Sequence, residues 1–350
     1  AAGIVVADAG DAAAVDALAR QARVVLSTAG PFALHGDLLV DACVRHGTHW
    51  VDITGETPWV RGLIDRHHAA ARAAGTRIVP GCGFDSVPSD LGAWLAAHAV
   101  EARFGEPCRE VTAAYALRGG FNGGTVASLL NVVASGQVRA FAQPFLLNPA
   151  GTVPRDAARH RDPRVPRHDR DLGAWVGPFL MAPINTRVVR RTVALAQAAG
   201  DRAWTPDFRY REWQRVGRGA RGAAMAWGMA AGLAGVAGVL RFEAGRRQVA
   251  RLAPAPGEGP SEAAMDAGGF RCDLVARSVS GQVLRVRVAA KGDPGNRATT
   301  VFACESALAL VQDGDALPPG GGVLTPAIAF GDVLVRRLRA AGVTLDVLPA

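Results

Sequence analysis

The chain has 350 residues, with 39 lysines and arginines, 31 aspartates and glutamates, and a formal net charge of +8. Apolar residues make up 49% of it, which is enough for a sizeable core and excludes a wholly disordered chain. Lys291 is the only lysine, so the arginine excess indicates a bias in the base composition of the coding DNA. The net charge is therefore weak evidence for a nucleic-acid partner, and we expect none.

The cysteines argue against a metal or disulfide framework. There are five, and no two of them have the Cys-x-x-Cys spacing. An odd, scattered set fits neither a network of disulfides nor a structural zinc site, so we expect no bound metal. The N-terminal residues also lack the basic region and long apolar core of a signal peptide. Together these features predict a cytoplasmic protein.

The first hundred residues alternate predicted strands and helices. Short apolar runs rich in β-branched residues predict strands at residues 4–7, 24–28, 50–53 and 77–80. The segments between them have the apolar spacing of helices. Asp11 and Asp37 are expected to begin the first two helices, Gly47 to end the second, and Thr57 with Pro58 to begin the third.

This alternation predicts a parallel sheet with right-handed crossovers, so we assign the fold class as α/β with a doubly wound, Rossmann-type domain. In such sheets, ligands bind at the carboxyl ends of the strands. Polar loops that contain glycines follow three of the predicted strands, at residues 27–32, 52–56 and 81–90. Because these strand ends meet at one edge of the sheet, the loops predict a ligand site there.

The rest of the chain is less regular. We expect a Rossmann-type domain at residues 1–107 and an α+β substrate or dimerisation domain at residues 108–350. The helices near residues 293–340 are expected to pack back on the first domain. The predicted elements of the second part are a strand at residues 111–117, a helix at 125–133, a hairpin of 270–278 and 283–289, and helices at 294–308 and 325–338.

Residues 217–222 match the Gly-x-Gly-x-x-Gly pattern of dinucleotide-binding turns, and Glu243 follows about 20 residues later. The preceding segment, residues 208–216, is rich in charged side chains, which argues against a buried parallel strand. We therefore interpret this motif as a glycine-rich connection before a helix.

Residues 222–240 carry no charge, and Arg221 and Arg241 flank them. The segment is mostly alanine and glycine, so its transfer into a bilayer is only weakly favourable. A buried or dimer-interface helix is the favoured interpretation, contact with a membrane or lipid surface is the second, and a true membrane span is the third. A homodimer and membrane association therefore both remain open.

Seven glycine-bearing runs spread over nearly the whole chain point to a known family. They are residues 24–32, 47–56, 81–91, 119–125, 177–185, 292–295 and 321–326. These runs resemble the saccharopine dehydrogenase-like NADP-binding family, and within it most closely the trans-acting enoyl reductases. The resemblance implies an oxidoreductase that uses NADPH to reduce an enoyl group of a carrier-bound lipid or polyketide intermediate in trans.

The resemblance and the positions of the loops assign candidate roles. The residues expected to contact the cofactor are Asp8, Ser27, Thr28, Ala29, Gly30, Pro31 and Phe32. The candidate catalytic residues are Asp52, Glu56 and Asp85, because a carboxyl group whose pKa is raised by burial can donate a proton to a developing carbanion. Gly123, Gly124 and Thr125 are expected to face the substrate, since N–H groups at the start of a helix can bind a carbonyl oxygen or an anion.

One departure from the family weakens the cofactor prediction. Family members open with a strand and a Gly-x-Thr-Gly-x-x-Gly turn that holds the cofactor pyrophosphate. By the same resemblance, residues 4–8 correspond to the third strand, so the first two strands and that turn are missing here. We therefore expect weak or absent NADP binding. The alternative is a cofactor-free, lipid- or partner-associated protein of the same fold, and an enzyme acting on saccharopine itself is weaker still.

Overall fold

A computed structural model describes residues 3–119, 123–252 and 258–349, with the backbone alone at residues 123–127 and 129. The strands are β1 (Val24–Ser27), β2 (His49–Asp52), β3 (Arg77–Val79), β4 (Cys108–Arg118), β5 (Arg167–Asp169), β6 (Ala174–Gly177), β7 (Trp204–Gly217), β8 (Gly269–Ser278), β9 (Val283–Lys291), β10 (Gly322–Val323) and β11 (Thr344–Val347). The helices are α1 (Ala12–Gln21), α2 (Phe32–His35), α3 (Asp37–His46), α4 (Thr57–Ala73), α5 (Val87–Phe104), α6 (Gly123–Ala134), α7 (Val138–Phe141), α8 (Ala182–Ala198), α9 (Gly219–Val239), α10 (Glu243–Leu252), α11 (Glu262–Asp266), α12 (Thr299–Gln312) and α13 (Pro326–Ala340).

The first sheet has four strands in the order β1-β2-β3-β10. Its pairs are parallel, with Ser27 opposite Asp52 and Val51 opposite Val79. Strands β1, β2 and β3 alternate with helices along the chain, so the predicted Rossmann-type α/β fold class is confirmed. The strand β10 comes from the C-terminal part of the chain, so residues far apart in sequence build this sheet.

Local capping residues set the ends of the first helices. Asp11 accepts hydrogen bonds from two backbone N–H groups of α1, at 2.9 and 3.2 Å, which confirms it as the N-cap. Gly47 ends α3 with a φ of 72°, a left-handed conformation that glycine adopts without steric cost. Thr57 and Pro58 begin α4 as predicted, although Glu56 rather than Thr57 occupies the cap position.

The predicted strand at residues 4–7 is wrong. Ile4, Val5 and Val6 are 95%, 65% and 95% exposed, and the segment pairs with no strand in the described ranges. A β-branched run becomes a strand only where a neighbouring strand takes up its backbone hydrogen bonds and a core takes up its side chains. This segment has neither, because in the described sheet β1 pairs only with β2 and the side chains of the segment face solvent.

The second sheet has seven strands in the order β11-β9-β8-β4-β7-β6-β5. The predicted hairpin is confirmed as β8 and β9, with Leu274 opposite Val286. Helix α5 packs on β4, β8 and β9, helix α8 packs on β7, and α12 packs on β1 and β2 of the first sheet. The largest cluster of buried apolar side chains includes both Val79 of β3 and Leu274 of β8, so one core joins the two sheets.

Strand β7 corrects one expectation. Residues 208–216 do form a buried parallel strand, since β7 pairs in parallel with β4. Its arginines at 209 and 211 alternate with the buried Phe208 and Tyr210, so the pleat sends the two sets to opposite faces. The motif at residues 217–222 is the turn from β7 into α9, as predicted.

Helix α9 lies outside the main core. Its buried residues are Gly222 and Ala226, and Gly177 of β6 lies against Ala226 and Met229. Of the favoured interpretation, a buried or dimer-interface helix, burial within the chain itself is therefore wrong, and the dimer interface stays a prediction. Within the described residues α9 is the one helix long and apolar enough to cross a membrane, with 21 residues, a mean hydropathy of 1.4 and 11% of its most apolar stretch buried. Length and composition by themselves are weak evidence for a span.

Candidate active site

Glu56 joins two loops at the carboxyl edge of the first sheet. Its carboxylate accepts hydrogen bonds from the backbone N–H groups of Phe32 at 2.8 Å and Ala33 at 3.0 Å, at the start of α2. The hydroxyl of Ser128 in α6 donates to the same carboxylate at 3.0 Å. With 1% of its surface exposed, Glu56 fixes the β1–α2 loop and α6 against the loop that follows β2.

Asp52 ties the loops after β2 and β3. Its Oδ1 accepts hydrogen bonds from the backbone N–H groups of Thr54 and Gly81, both at 2.9 Å, and its Oδ2 accepts one from the indole N–H of Trp50 at 2.7 Å. The side chain is fully buried, and burial raises the pKa of Asp52 to about 6. Both oxygens are occupied by protein donors, so the geometry favours a positioning role.

Asp85 differs from the other two candidate carboxylates. Within the described part of the chain its carboxylate accepts no hydrogen bond, and part of its surface is accessible. Burial raises the pKa of Asp85 to about 7. A methyl group built on Gly55 would lie 3.3 Å from Asp85 Oδ2 and 2.8 Å from Ile184 Cδ1. Because Gly55 has no side chain, Ile184 and the Asp85 carboxyl group can lie directly against its backbone.

The residues predicted to contact the cofactor lie mostly on the loop between β1 and α2. Its exposed residues are Thr28, Ala29 and Gly30, while Phe32 is buried. The Gly30–Pro31 peptide bond is cis, and Ser27 Oγ accepts a hydrogen bond from the N–H of Ala29 at 3.4 Å. This loop presents backbone and small side chains to solvent at the same edge as Asp85.

The other predicted residues lie elsewhere or beyond the description. Asp8 is exposed, and its carboxylate accepts a hydrogen bond from the N–H of Gly10 at 2.8 Å. Gly123 and Gly124 are the first two residues of α6, and Thr125 follows them. Residues 120–122 of the glycine-rich turn and the side chain of Thr125 lie outside the described residues. Helix α6 still reaches the site through Ser128.

Sequence similarity assigns the chain to a family. A protein of Mycobacterium tuberculosis, provisionally named a trans-acting enoyl reductase, is 39% identical over 98% of this chain and 84% of its own length. The trans-acting enoyl reductases of Mycobacterium bovis and Mycobacterium ulcerans are 36% identical with the same coverage. The chain belongs to the trans-acting enoyl reductase family. No protein-family model matches the sequence.

A solved structure supports the fold of this enoyl reductase family member. The apo saccharopine dehydrogenase (L-Glu forming) from Saccharomyces cerevisiae has a TM-score of 0.51 and 12% sequence identity, over 98% of this chain and 88% of that one. At this identity the likeness concerns the fold alone. It confirms the predicted saccharopine dehydrogenase-like fold. Membership of the enoyl reductase family identifies the chain as an oxidoreductase.

A buried polar cluster behind the candidate site was not predicted from the sequence. Glu212 of β7 accepts hydrogen bonds from the hydroxyl of Tyr210 at 2.7 Å and from Asn185 Nδ2 at 2.9 Å. Asn185 follows Ile184, whose side chain lies against Gly55. Burial raises the pKa of Glu212 to about 7. The strand alternation, which puts Glu212 on the same face as Tyr210, was the available signal.

Replacing Glu212 with glutamine is expected to flatten the pH dependence of stability. The pKa of Glu212 rises from its ordinary 4.5 to about 7 on folding, so between these values the folded state binds more protons than the unfolded state. The contribution of this group is complete below the unfolded pKa and is lost as pH rises through the folded one. Calorimetry should therefore show a larger fall in melting temperature between pH 4.5 and about 7 for the wild type than for Glu212→Gln.

The exposed Glu243→Gln is the matched control for this measurement, since the Glu243 side chain is 70% exposed in its pair with Arg247. It should leave the wild-type slope unchanged. Identical slopes for the wild type and Glu212→Gln would show that Glu212 does not retain its proton on folding.

Proposed function

We propose that the chain catalyses the NADPH-dependent reduction of the enoyl group of a lipid or polyketide intermediate. This intermediate is a thioester bound to a separate carrier. The names of its relatives support this activity. When bound, NADPH would supply a hydride to the β-carbon and leave as NADP⁺, while the electron pair of the double bond moves towards the carbonyl group. The chain then has to place the enoyl group beside the nicotinamide and deliver one proton to the α-carbon.

The β1–α2 loop suits the nicotinamide end of the cofactor. It follows a strand at the carboxyl edge of a parallel sheet, where dinucleotides bind in this type of fold. The hydroxyls of Ser27 and Thr28 can bond a ribose, and Gly30 lets the backbone approach a ring. Glu56 holds this loop through its bonds to the start of α2. The same carboxyl edge of the first sheet therefore carries this loop, Gly55, Glu56 and Asp85.

The single observation that carries the proposal is the carboxyl group of Asp85, which has no hydrogen-bond donor in the described residues and a pKa of about 7. A general acid is most effective when its pKa lies near the working pH. Because Asp85 as a residue is only partly buried, it recovers a proton from solvent after each turnover in this proposal. Asp85 is the proton donor in this proposal, with Asp52 and Glu56 as positioning residues.

The test incubates the purified chain with millimolar NADPH and an enoyl thioester of coenzyme A. NADPH absorbance is followed while mass spectrometry measures the saturated thioester. We expect both signals to change together and to need the thioester. If neither NADPH nor the thioester is consumed under these conditions, the proposal is contradicted. That result would favour a cofactor-free, lipid- or partner-associated protein of the same fold.

NADPH itself is expected to bind weakly to this polypeptide. No strand-to-helix turn of the first sheet in the described residues is a glycine-rich phosphate loop. The helix that follows β1 has its first N–H groups occupied by the Glu56 carboxylate, whose negative charge opposes a phosphate at that place. Fluorescence titration should give a dissociation constant well above the low micromolar range, and a low-micromolar value would contradict this expectation.

A further inference from the structure

From Gly222 onward, helix α9 is apolar around its whole circumference, yet it is mostly exposed. A helix of that composition is normally buried in a protein or in a membrane. Met225, Trp227 and Val236 are 56%, 53% and 50% exposed. Phe242, just beyond the helix, is 70% exposed, and Leu252 at the end of α10 is 77% exposed. The α9–α10 face, defined as residues 218–252, therefore presents a broad apolar surface that the described chain leaves uncovered.

Positive charge surrounds this surface. Six arginines and one glutamate, Glu243, are the charged residues of the α9–α10 face. The arginines are Arg218, Arg221, Arg241, Arg246, Arg247 and Arg251. Arg218 and Arg221 stand at the start of α9, and the other four lie at its end and along α10. Apolar and aromatic side chains bordered by arginines fit a layer with an apolar interior and an anionic surface.

The charge pattern distinguishes between two occupants of this face. A second copy of the chain packed on α9 would bring two rims of arginines together, and like charges in close contact oppose association. Anionic lipid headgroups would instead neutralise each rim. Trp227 and Phe242 are also residue types that favour the boundary between headgroups and acyl chains.

The fold keeps α9 on the protein rather than across a bilayer. Gly177 of β6 lies so close that a Cβ there would be 2.6 Å from Met229 Cε, and Ala226 is fully buried at the same contact. Arg246 Nη1 donates to the backbone oxygen of Leu240 at 3.2 Å, which holds α10 against the end of α9. Helix α10 in turn packs on α6, which carries Ser128 of the candidate site.

We propose that the α9–α10 face docks flat on bilayers that contain anionic lipid. Trp227, Val239 and Phe242, which are 53%, 46% and 70% exposed, enter the headgroup boundary, and the surrounding arginines contact the headgroups. The proposal does not depend on the reaction catalysed, since vesicle binding is measured without substrate or cofactor.

Flotation with vesicles of phosphatidylcholine, with or without phosphatidylglycerol, tests this assignment. The whole chain should float with the anionic vesicles, remain unbound with the neutral ones, and be released by high salt. Trp227→Glu places a negative charge at an exposed position and should lower the partition coefficient about tenfold or more. Arg241→Gln with Arg251→Gln should lower it by removing charge alone.

The matched control is Val279→Glu, at a site 47% exposed on the turn between β8 and β9, outside the α9–α10 face. It should bind vesicles like the wild type. Melting temperatures show whether each variant is folded. Equal flotation of the wild type and Trp227→Glu would overturn the proposal. The proposal would also be overturned if the chain did not bind vesicles and light scattering showed a dimer that Trp227→Glu dissociates.

Discussion

Asp85→Asn is expected to lower kcat for enoyl reduction by about 10²-fold or more, because removal of a positioned general acid typically costs that much. Asparagine has nearly the shape of aspartate and no proton to donate to a carbanion. Asp85 has no hydrogen-bond donor in the described residues, so the change should leave the fold and the KM for the thioester nearly unaltered. Stopped assays of saturated thioester at millimolar NADPH give both constants.

The pH profile separates an acid from a structural residue. Because the pKa of Asp85 is about 7, the wild-type kcat should fall as pH rises through that value, and Asp85→Asn should lose this limb. Asp85→Glu, which restores an acid on a longer side chain, should recover part of the rate. Asp315→Asn, an exposed acid far along the chain, is the control and should behave as the wild type. An Asp85→Asn enzyme with wild-type kcat would remove Asp85 from the mechanism.

Asp52→Ala is expected to lower the free energy of unfolding by about 3 kcal/mol or more, since each buried donor left without a partner costs about 1–3 kcal/mol. The donors are the indole N–H of Trp50 and the backbone N–H groups of Thr54 and Gly81. Urea denaturation followed by tryptophan fluorescence measures the change.

Asp52→Asn is a more conservative substitution at the same position. Its amide oxygen can still accept from Thr54 and Gly81, which both donate to Oδ1, but its NH₂ group faces the indole N–H of Trp50. We expect a loss of about 1–2 kcal/mol, smaller than for alanine. At a pH where it is folded, Asp52→Asn should keep most of the kcat, since the fully buried carboxylate touches no substrate in our proposal. An unfolding free energy for Asp52→Ala equal to that of the wild type would contradict the positioning role.

The sequence was sufficient to predict the parallel sheet and the place of the candidate site. The apolar runs at β1, β2 and β3 are each bounded by a helix signal, such as Asp11 or Gly47, so local chemistry and the global fold agree there. The three polar loops meet because parallel strands end at one edge. The same rule places Asp52, Glu56 and Asp85 in one region of the sheet edge.

The individual roles of these residues depended on long-range contacts. Glu56 is four residues past the end of β2, and nothing local shows that its carboxylate caps α2 and accepts a hydrogen bond from Ser128 of α6. Asp85 differs from Asp52 in its lack of hydrogen-bond donors, which no sequence pattern encodes. Residues 4–7 failed for a related reason, because a strand depends on a neighbour that propensity does not reveal. Glu212 was missed because its charge was taken as a sign of exposure, although buried hydrogen-bond donors satisfy it.

The most direct test of the account is an isotope measurement on the reaction product. The chain is incubated in D₂O with unlabelled NADPH at millimolar concentration and an enoyl thioester of coenzyme A, and the saturated product is analysed by mass spectrometry. If a hydride comes from the cofactor and the proton from an acid that exchanges with solvent, the product carries one deuterium, at the α-carbon. A product formed without deuterium at the α-carbon, or no saturated product at all, would contradict the account.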